Sequence, residues 1–478
     1  MDKNNIFDFM DEKYDYFASL SDQVWDFAET AFEEFHSAAV LQDALSELGF
    51  DVETDVAHVP NAFIGSWGSG KPVIAFLGEF DALSGMSQKA GAESEIPLVK
   101  GGNGHGCGHN LLGAGALAAA AAVREYLKET GKPGTVKYFG CPGEEGGSGK
   151  AFMARAGVFD DLDLALTWHP ANFNSVFDIS SLANYQVRYK FTGRSSHAAA
   201  APQYGRSALD AVELMNVGVQ FLREHIIQEA RIHYAITNTG GFSPNVVQAN
   251  AEVLYLIRAP KLEQVEEIYQ RVNKIAEGMA MATETEVEIQ FVKSCADVVP
   301  NKVLSSLLEK SLNEAPKPHY SPADHEFAAK LDQTFPKALP MQAMVNITED
   351  DLANVMEKMK GKSIFEDVLP FYFNRTPTVL PGSTDVGDVS HIVPTGQVIT
   401  SCWTFKTPPH TWQTVAIGKH PIAHKGMMLA AKALASAAMA LYEDPTVIES
   451  AKTEFLKRMG GAKYVSPIPK EVMPSTIS

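Results

Sequence analysis

A cysteine and a histidine stand two residues apart in a glycine-rich segment. Residues 104–110 read GHGCGHN, which places Cys107 and His109 on either side of a glycine. Glycines let the backbone turn tightly, so both side chains can reach one point, and a thiolate with an imidazole suits zinc or a similar divalent ion. A glycine-rich turn around a buried cysteine is the alternative, and this segment alone does not decide between them.

Two adjacent carboxylates follow a run of residues typical of a β-strand. Residues 141–147 read CPGEEGG and come directly after the run at 135–140. In a metal hydrolase, one such carboxylate can bind an ion while its neighbour acts as the general base. A solvated acidic turn is the alternative for Glu144 and Glu145 taken alone.

Two more histidines lie at the ends of apolar segments. His169 closes the apolar run at 164–168, and His424 lies at the start of the last long apolar helix. Each could also be an ordinary hydrogen-bonded residue of the core. Open α/β sheets, however, place their functional sites at strand ends. Together the thiolate, the carboxylate and the three imidazoles supply about the number of ligands that two metal ions need, with positions left for water and substrate.

The spacing of apolar residues predicts the elements that position these groups. Strand-like runs lie at 63–67, 72–80, 135–140 and 164–168. An alanine-rich helix at 111–128 lies between two of them, and an earlier helix is predicted to begin near Ser37. Alternation of strands and helices indicates the α/β fold class, with a largely parallel sheet.

The order of elements changes at residue 184. From there to residue 295, strand and helix patterns follow in the order β-α-β-β-α-β, which is the ferredoxin-like arrangement. We therefore predict an α/β domain built from residues 1–183 and 296–478, with a ferredoxin-like domain inserted at 184–295. We also predict an irregular stretch near 315–375 and a closing helix at 426–442.

Composition argues against several classes of protein. The chain holds 40 Lys and Arg against 58 Asp and Glu, a formal net charge of −18, which disfavours nucleic acid and anionic membranes as partners. Its four cysteines are scattered, unlike a disulfide framework. The sequence shows neither a signal peptide nor an apolar run long enough to span a bilayer. These features predict a cytoplasmic protein with no nucleic acid and no membrane as partner.

In this order, the segments resemble the aminoacylase/carboxypeptidase superfamily of two-metal amidohydrolases over nearly the whole chain. HGCGHN and CPGEEGG are most similar to the branch of aminobenzoyl-glutamate hydrolases and aminoacyl dipeptidases. The segments FDAL at 80–83 and GSTDVGDVS at 382–390 support the resemblance. Asn110 stands where many relatives have Asp, which favours this branch over the auxin-conjugate hydrolases. The resemblance implies a catalytic α/β domain with two divalent metal ions per chain, Zn²⁺ or Mn²⁺.

The same resemblance implies roles for individual residues. The implied metal ligands are Cys107, His109, Glu145, His169 and His424, with Cys107 linking the two ions. Glu144 would be the general base, and Asp81 would support the ligands rather than bind metal.

Three residues of the inserted domain are similar to substrate-handling residues of the family. GRSSHA at 193–198 resembles a lid segment whose histidine, here His197, reaches an active site and often that of a partner subunit. Asn245 and Arg258 resemble the asparagine and arginine that bind the substrate. The alternatives are a surface-loop histidine for His197 and a solvated charge at a strand end for Arg258.

The activity that the resemblance implies is metal-dependent hydrolysis of an amide bond next to a free carboxylate. The implied substrate is p-aminobenzoyl-glutamate or a related small anionic N-acyl amino acid or dipeptide, and the inserted domain would be a lid and dimerisation domain. A homodimer, or a heterodimer with a related subunit, is implied as well. An aminoacyl dipeptidase and an N-acyl amino acid deacylase stay open as alternatives. Outside enzymes, so do a non-catalytic partner subunit and a metal-buffering protein.

Overall fold

A computed structural model describes residues 3–335, 348–370 and 379–476 of the chain. Its helices are α1 (Lys3–Glu12), α2 (Tyr14–Phe27), α3 (Phe35–Glu47), α4 (His109–Thr130), α5 (Gly149–Arg155), α6 (Ala208–Leu222), α7 (Leu262–Thr283), α8 (Lys302–Glu314), α9 (Pro322–Asp332), α10 (Glu349–Lys358), α11 (Val386–Ser390), α12 (Trp412–Ile417), α13 (Pro421–Glu443) and α14 (Pro445–Met459). Its strands are β1 (Asp51–Thr54), β2 (Phe63–Ser69), β3 (Val73–Glu79), β4 (Gly134–Cys141), β5 (Leu164–Ala171), β6 (Ser175–Val176), β7 (Ser180–Ser181), β8 (Ala183–Thr192), β9 (Arg231–Asn238), β10 (Asn250–Ala259), β11 (Glu286–Cys295), β12 (Val379–Leu380) and β13 (Thr395–Ser401).

A seven-stranded sheet forms the centre of the larger part of the fold. Its order is β1-β2-β4-β3-β5-β13-β6, and the four strands from β4 to β13 run parallel to one another. All seven residues of β3 are buried, as expected for a parallel strand covered on both faces. The predicted α/β class with a largely parallel sheet is therefore confirmed.

Two alanine-rich helices, α4 and α13, pack against each other and cover one face of this sheet. Small side chains let α4 approach closely: a Cβ added at Gly115 would lie 2.7 Å from the Trp168 ring, and one at Gly113 would lie 2.8 Å from the Glu79 carbonyl oxygen. This close approach sets His109, the first residue of α4, beside the end of β3.

A separate four-stranded antiparallel sheet has the order β11-β8-β10-β9. Helices α6 and α7 pack together against it and share a buried apolar cluster with it. Along the chain these elements follow as β8-α6-β9-β10-α7-β11, the predicted β-α-β-β-α-β order. The domain boundaries at 184 and 295 stay a prediction; β8 begins at Ala183 and β11 ends at Cys295.

The predicted irregular stretch near 315–375 contains helices α9 and α10 in its described part. Residues 336–347 and 371–375 of that stretch lie outside the described residues. The closing helix is longer than predicted, since α13 begins at Pro421, and α14 follows it. Within residues 3–335, 348–370 and 379–476, no helix combines the length and the apolar character needed to cross a bilayer.

Candidate metal centre

The candidate site lies where the parallel strands end. Glu79 is the last residue of β3 and pairs in register with Cys141, the last residue of β4. His169 lies near the end of β5, and the loop with Glu144 and Glu145 follows β4. Because carboxyl ends of parallel strands meet at one edge of a sheet, residues far apart in the sequence converge there.

The first group of possible metal ligands consists of Cys107, His109 and His169. Their ligand atoms lie within 4.8 Å of one another, and the Cys107 Sγ is 3.5 Å from the His169 Nε2. The His169 Nδ1 lies 2.7 Å from the Pro170 carbonyl oxygen, so Nδ1 carries the proton and donates. The Nε2 lone pair is then free to face the group.

Asp81 orients two parts of the site at once. Its Oδ1 lies 2.8 Å from the His109 Nδ1, which turns the His109 Nε2 towards the group. Its Oδ2 accepts a hydrogen bond of 2.8 Å from the Glu145 backbone N–H. Supporting carboxylates of this kind fix the tautomer and the direction of a ligand histidine. Asp81 therefore lies behind the possible ligands His109 and Glu145, an arrangement that is compatible with the supporting role implied by the resemblance.

The second group consists of Cys107, Glu145 and His410. The His410 Nε2 lies 3.3 Å from the Glu145 Oε1, and the His410 backbone N–H donates to the Gly106 carbonyl. His410 has a φ of 59°, which fits a tight turn that returns the chain to the cysteine loop. His410 was not predicted from the sequence; the available signal was a histidine in a Pro-Pro-His turn that follows the last parallel strand, β13.

The structure does not bring His424 to these groups. His424 lies in the first turn of α13, is 7% exposed, and its Nε2 is 2.9 Å from the Asp22 Oδ1 on α2. It belongs to none of the groups of three possible ligands found in the described residues. The physical reason is that α13 packs among other helices on the face of the sheet, whereas the loop before α12 reaches the strand ends.

The third group consists of Glu79, His109 and Glu144. Burial raises the pKa of the Glu144 carboxyl well above its usual range, and the negative charges of Glu79 and Glu145 raise it further. For Glu145, burial also raises the pKa, but the hydrogen bond with His410 and the charge of His109 outweigh it and lower the pKa to about 2. The pKa values of these two neighbouring carboxyls are thus shifted in opposite directions, a pattern typical of acid–base sites.

A fully buried lysine, Lys150, forms ion pairs with two carboxylates beneath the site. The Lys150 Nζ lies 2.7 Å from a Glu79 oxygen and 2.6 Å from an Asp385 oxygen. Asp385 also accepts the Lys150 backbone N–H at 2.8 Å. Through these two ion pairs, Lys150 joins the end of β3 to the 382–390 segment. Loss of any one of the three charges would leave an uncompensated charge in the interior.

The donor set suits divalent cations. Cys107 is shared by the first two groups and His109 by the first and third, so adjacent positions exist for two ions. The His109 Nε2 and the Glu145 Oε1 are buried, and each faces another possible ligand atom at 3.3 Å, the first a Glu79 oxygen and the second the His410 Nε2. A thiolate, imidazoles and carboxylates are ligands that zinc and similar ions accept. The residues present therefore fit a two-ion centre.

Comparison with known proteins places this arrangement in a family. Residues 75–368 match the model of peptidase family M20/M25/M40. One of the subunits of the p-aminobenzoyl-glutamate hydrolase of Escherichia coli (strain K12) is 48% identical over 464 residues, which cover 96% of each chain. The chain belongs to the M20/M25/M40 peptidase family. The resemblance to two-metal amidohydrolases is thus confirmed, and the chain is a hydrolase that acts on amide bonds.

Two other relatives extend the comparison. A Xaa-Arg dipeptidase of Mus musculus is 28% identical over 464 residues, covering 93% of this chain and 90% of the relative. The solved structure of a putative aminohydrolase from methicillin-resistant Staphylococcus aureus has a TM-score of 0.62 at 17% identity, covering 92% of this chain and 99% of that one. The M20 fold, with its α/β part and its smaller sheet domain, therefore extends over almost the entire chain.

Two of the predicted substrate-handling residues of this M20 chain lie on adjoining loops. His197 is exposed, and its Nδ1 accepts the backbone N–H groups of Ala199 and Ala200 at 3.2 Å each. The Asn245 carbonyl accepts the Ala198 N–H at 2.9 Å. The structure thus brings His197 close to Asn245, and neither belongs to the three ligand groups.

Arg258 is anchored instead to the segment at 382–390. It is the penultimate residue of β10, which extends to Ala259. Its guanidinium donates to the Ser383 Oγ at 2.9 Å, and Ser383 donates to the Leu182 carbonyl at 2.6 Å. Burial lowers the pKa of Arg258. The partly buried guanidinium therefore faces the region where the inserted segment meets the α/β part.

Proposed function

We propose that this M20 enzyme hydrolyses the amide bond of N-acyl amino acids that keep a free carboxylate, with p-aminobenzoyl-glutamate as the first candidate. The observation that carries the proposal is the convergence of Cys107, His109, Glu145, His169 and His410 on two adjacent positions beside Glu144. The substrate class comes from the name of the relative that is 48% identical over 96% of both chains.

The ligand set that we propose for two divalent ions, Zn²⁺ or Mn²⁺, contains His410 in place of His424. Such ions supply a lowered pKa for a water molecule and polarise the scissile carbonyl. Glu144 accepts the proton of the attacking water and passes it to the leaving nitrogen. Asp81 holds the His109 ring and the Glu145 backbone in place, so the ligands keep their positions while the proton moves.

Substrate binding is assigned to the inserted domain, residues 184–295, as a lid. Arg258 supplies a planar guanidinium that can hold a carboxylate with two parallel hydrogen bonds, and Asn245 adds an amide. His197 stabilises the tetrahedral oxyanion. These roles follow the family resemblance and the loop arrangement of His197 and Asn245.

The chain is proposed to work in the cytoplasm as a dimer, either with itself or with a related subunit. Leu214, Val217 and Phe221 form an exposed apolar stripe on α6, and β9 is an exposed edge strand. An exposed apolar stripe and an open strand edge are each typical of an interaction site. The bacterial relative is named as one subunit of its hydrolase, which is consistent with a second kind of subunit.

The test measures metal content and hydrolysis by the purified chain. Candidate substrates are p-aminobenzoyl-glutamate, β-alanyl dipeptides and N-acetyl amino acids. We expect two ions per chain and release of p-aminobenzoate with glutamate. Faster turnover of dipeptides would favour the dipeptidase alternative, which the mouse relative supports. A metal-loaded chain that cleaves none of the three classes, alone or with a related subunit, contradicts the proposal.

A further inference from the structure

A groove opens beside the candidate metal centre. Its volume is about 390 Å³, and His410, whose imidazole also contacts Glu145, forms part of its lining. The apolar residues that line it are Met86, Pro97, Val99, Phe335 and Trp412. Glu95 is the acidic residue of the lining. Ser87, Thr411 and Gln413 also line the groove, which therefore combines aromatic and aliphatic side chains with uncharged polar groups and one carboxylate.

The loop that forms one wall of the groove is held in shape by a buried glutamine. The Gln88 Nε2 donates to the Ser94 carbonyl at 2.9 Å, and its Oε1 accepts the Ile96 N–H at 2.8 Å. The ends of the loop are joined because Leu83 and Gly104 exchange two backbone hydrogen bonds of 3.0 Å. Gly104 begins the cysteine segment, so the wall is fixed relative to the ligands, as in preformed ligand sites.

We propose that this groove binds the acyl group of the substrate, and that the acyl group is an aromatic ring whose far end donates a hydrogen bond to Glu95. The inference rests on the proposed function and specifies its substrate class. A scissile carbonyl held at the metal centre has its acyl group on one side and its amino acid on the other. The groove shares His410 with the candidate metal centre, so an acyl group that extends from the scissile carbonyl past His410 would enter it.

Charge decides which half of the substrate enters the groove. The amino-acid half carries a carboxylate, and a second carboxylate at Glu95 would repel it. An uncharged acyl group avoids this cost, and the Trp412 and Phe335 rings favour an aromatic one by stacking or edge contacts. A carboxylate accepts hydrogen bonds but cannot donate them. A donor such as an aromatic amino group therefore complements Glu95.

The test compares three glutamate amides that differ only in the acyl group. They are p-aminobenzoyl-glutamate, benzoyl-glutamate, which lacks the amino group, and N-acetyl-glutamate, which lacks the ring. The variants are Trp412→Ala, Trp412→Phe and Glu95→Ala. Glu93→Ala is the matched control, since Glu93 is an exposed carboxylate of the same loop that pairs with Lys330 at 3.1 Å. Metal content is measured for every variant.

We expect Trp412→Ala to lower kcat/KM for the two ring substrates about 10- to 100-fold more than for N-acetyl-glutamate, since apolar pockets discriminate on this scale. Trp412→Phe should recover most of that loss. Glu95→Ala should reduce the preference for p-aminobenzoyl-glutamate over benzoyl-glutamate by roughly 10-fold, as for a lost charged hydrogen bond, whereas Glu93→Ala should leave it unchanged.

Equal losses on all three substrates, or a Glu95→Ala variant that behaves like Glu93→Ala, would overturn the groove assignment while leaving the proposed function intact. If Trp412→Ala loses metal, Val99→Asp on the opposite loop decides by the same comparison, because it places a charge in the groove away from the ligands. A metal-loaded wild-type chain that cleaves none of the three amides, alone or with a related subunit, overturns the proposed function, and the groove assignment with it.

Discussion

Glu144 and Glu145 are neighbours in the chain but have different surroundings. Glu145 contacts His410 and shares a ligand group with Cys107, whereas Glu144 lies near Glu79 and His109. We expect Glu144→Gln to keep both metal ions and to lower kcat by ~10²- to 10⁴-fold, the usual contribution of a general base. Glu145→Gln, the matched variant, should instead lower metal content. Metal analysis with steady-state kinetics checks both, and a Glu144→Gln chain that retains more than a tenth of wild-type kcat contradicts the assignment.

The two candidate histidines of the C-terminal part can be separated experimentally. His410→Ala removes a side chain that lies 3.3 Å from Glu145, so metal content should fall and activity should be lost. His424→Ala removes the contact with Asp22 and should lower thermal stability while the ions stay bound. Metal content and thermal unfolding of the two variants provide the check. Retention of both ions by His410→Ala would show that this residue is not a ligand.

His410 and His424 also show how far the sequence alone identifies candidate ligands. Cys107, His109, Glu145 and His169, which the structure brings together, could be selected as candidates because each stands in a glycine-rich segment or at the end of an apolar run. His424 lies at the start of an apolar helix and looks just as promising in the sequence, yet its partner is the Asp22 carboxylate on α2. The path of the irregular loop that carries His410 depends on tertiary contacts, which no periodicity encodes.

At the scale of elements, buried strands and the ferredoxin-like order were predictable, whereas helix ends were less so. The helix predicted to begin near Ser37 begins at Phe35. Ser37 does not cap it; the Glu29 carboxylate instead accepts the backbone N–H groups of His36 and Ser37. A carboxylate from outside the helix accepts hydrogen bonds from the free N–H groups of the first turn as well as a capping serine does. The sequence alone does not show which of these groups will lie at the start of the helix.

Helix α4 offers a test of the close contact between helix and sheet. Alanine normally stabilises a helix relative to glycine by about 0.5–1 kcal/mol, but a Cβ at Gly115 would lie 2.7 Å from the buried Trp168 ring. We expect the destabilisation from this overlap to exceed the gain in helix propensity, so Gly115→Ala should lower the free energy of unfolding by about 1–3 kcal/mol. Denaturant unfolding measures the change.

Gly278 in α7 is the matched control. A Cβ added there meets no atom within 4 Å, so Gly278→Ala should stabilise the protein by about 0.5–1 kcal/mol. We therefore expect the free energy of unfolding to fall in Gly115→Ala and to rise in Gly278→Ala. Stabilisation by Gly115→Ala would mean that α4 lies further from β5 than the structure places it, and that the position of His109 is less constrained.

At the scale of the whole molecule, net charge and lid position act together on an anionic substrate. A chain of charge −18 repels anions at long range, so a carboxylate must be captured by a specific donor. Arg258 reaches from the inserted segment to Ser383, and His197 lies exposed on a loop of the same segment. If Arg258 and His197 have the roles that we propose, the lid of one chain completes an active site, either its own or that of a partner.

Mixing two inactive variants distinguishes these possibilities. His197→Ala keeps Glu144 and the ligands, whereas Glu144→Gln keeps the lid, so each variant alone should be nearly inactive with its metal content unchanged. If lids act across a homodimer, a hybrid dimer contains one site with both Glu144 and His197. Random reassociation should then restore about a quarter of wild-type activity, since half of the dimers are hybrids with one complete site each. Mass spectrometry of intact dimers confirms the exchange and serves as the control. Full exchange without any recovered activity would mean that each lid serves its own chain. A His197→Ala chain that is active before mixing would instead show that His197 has no role in turnover.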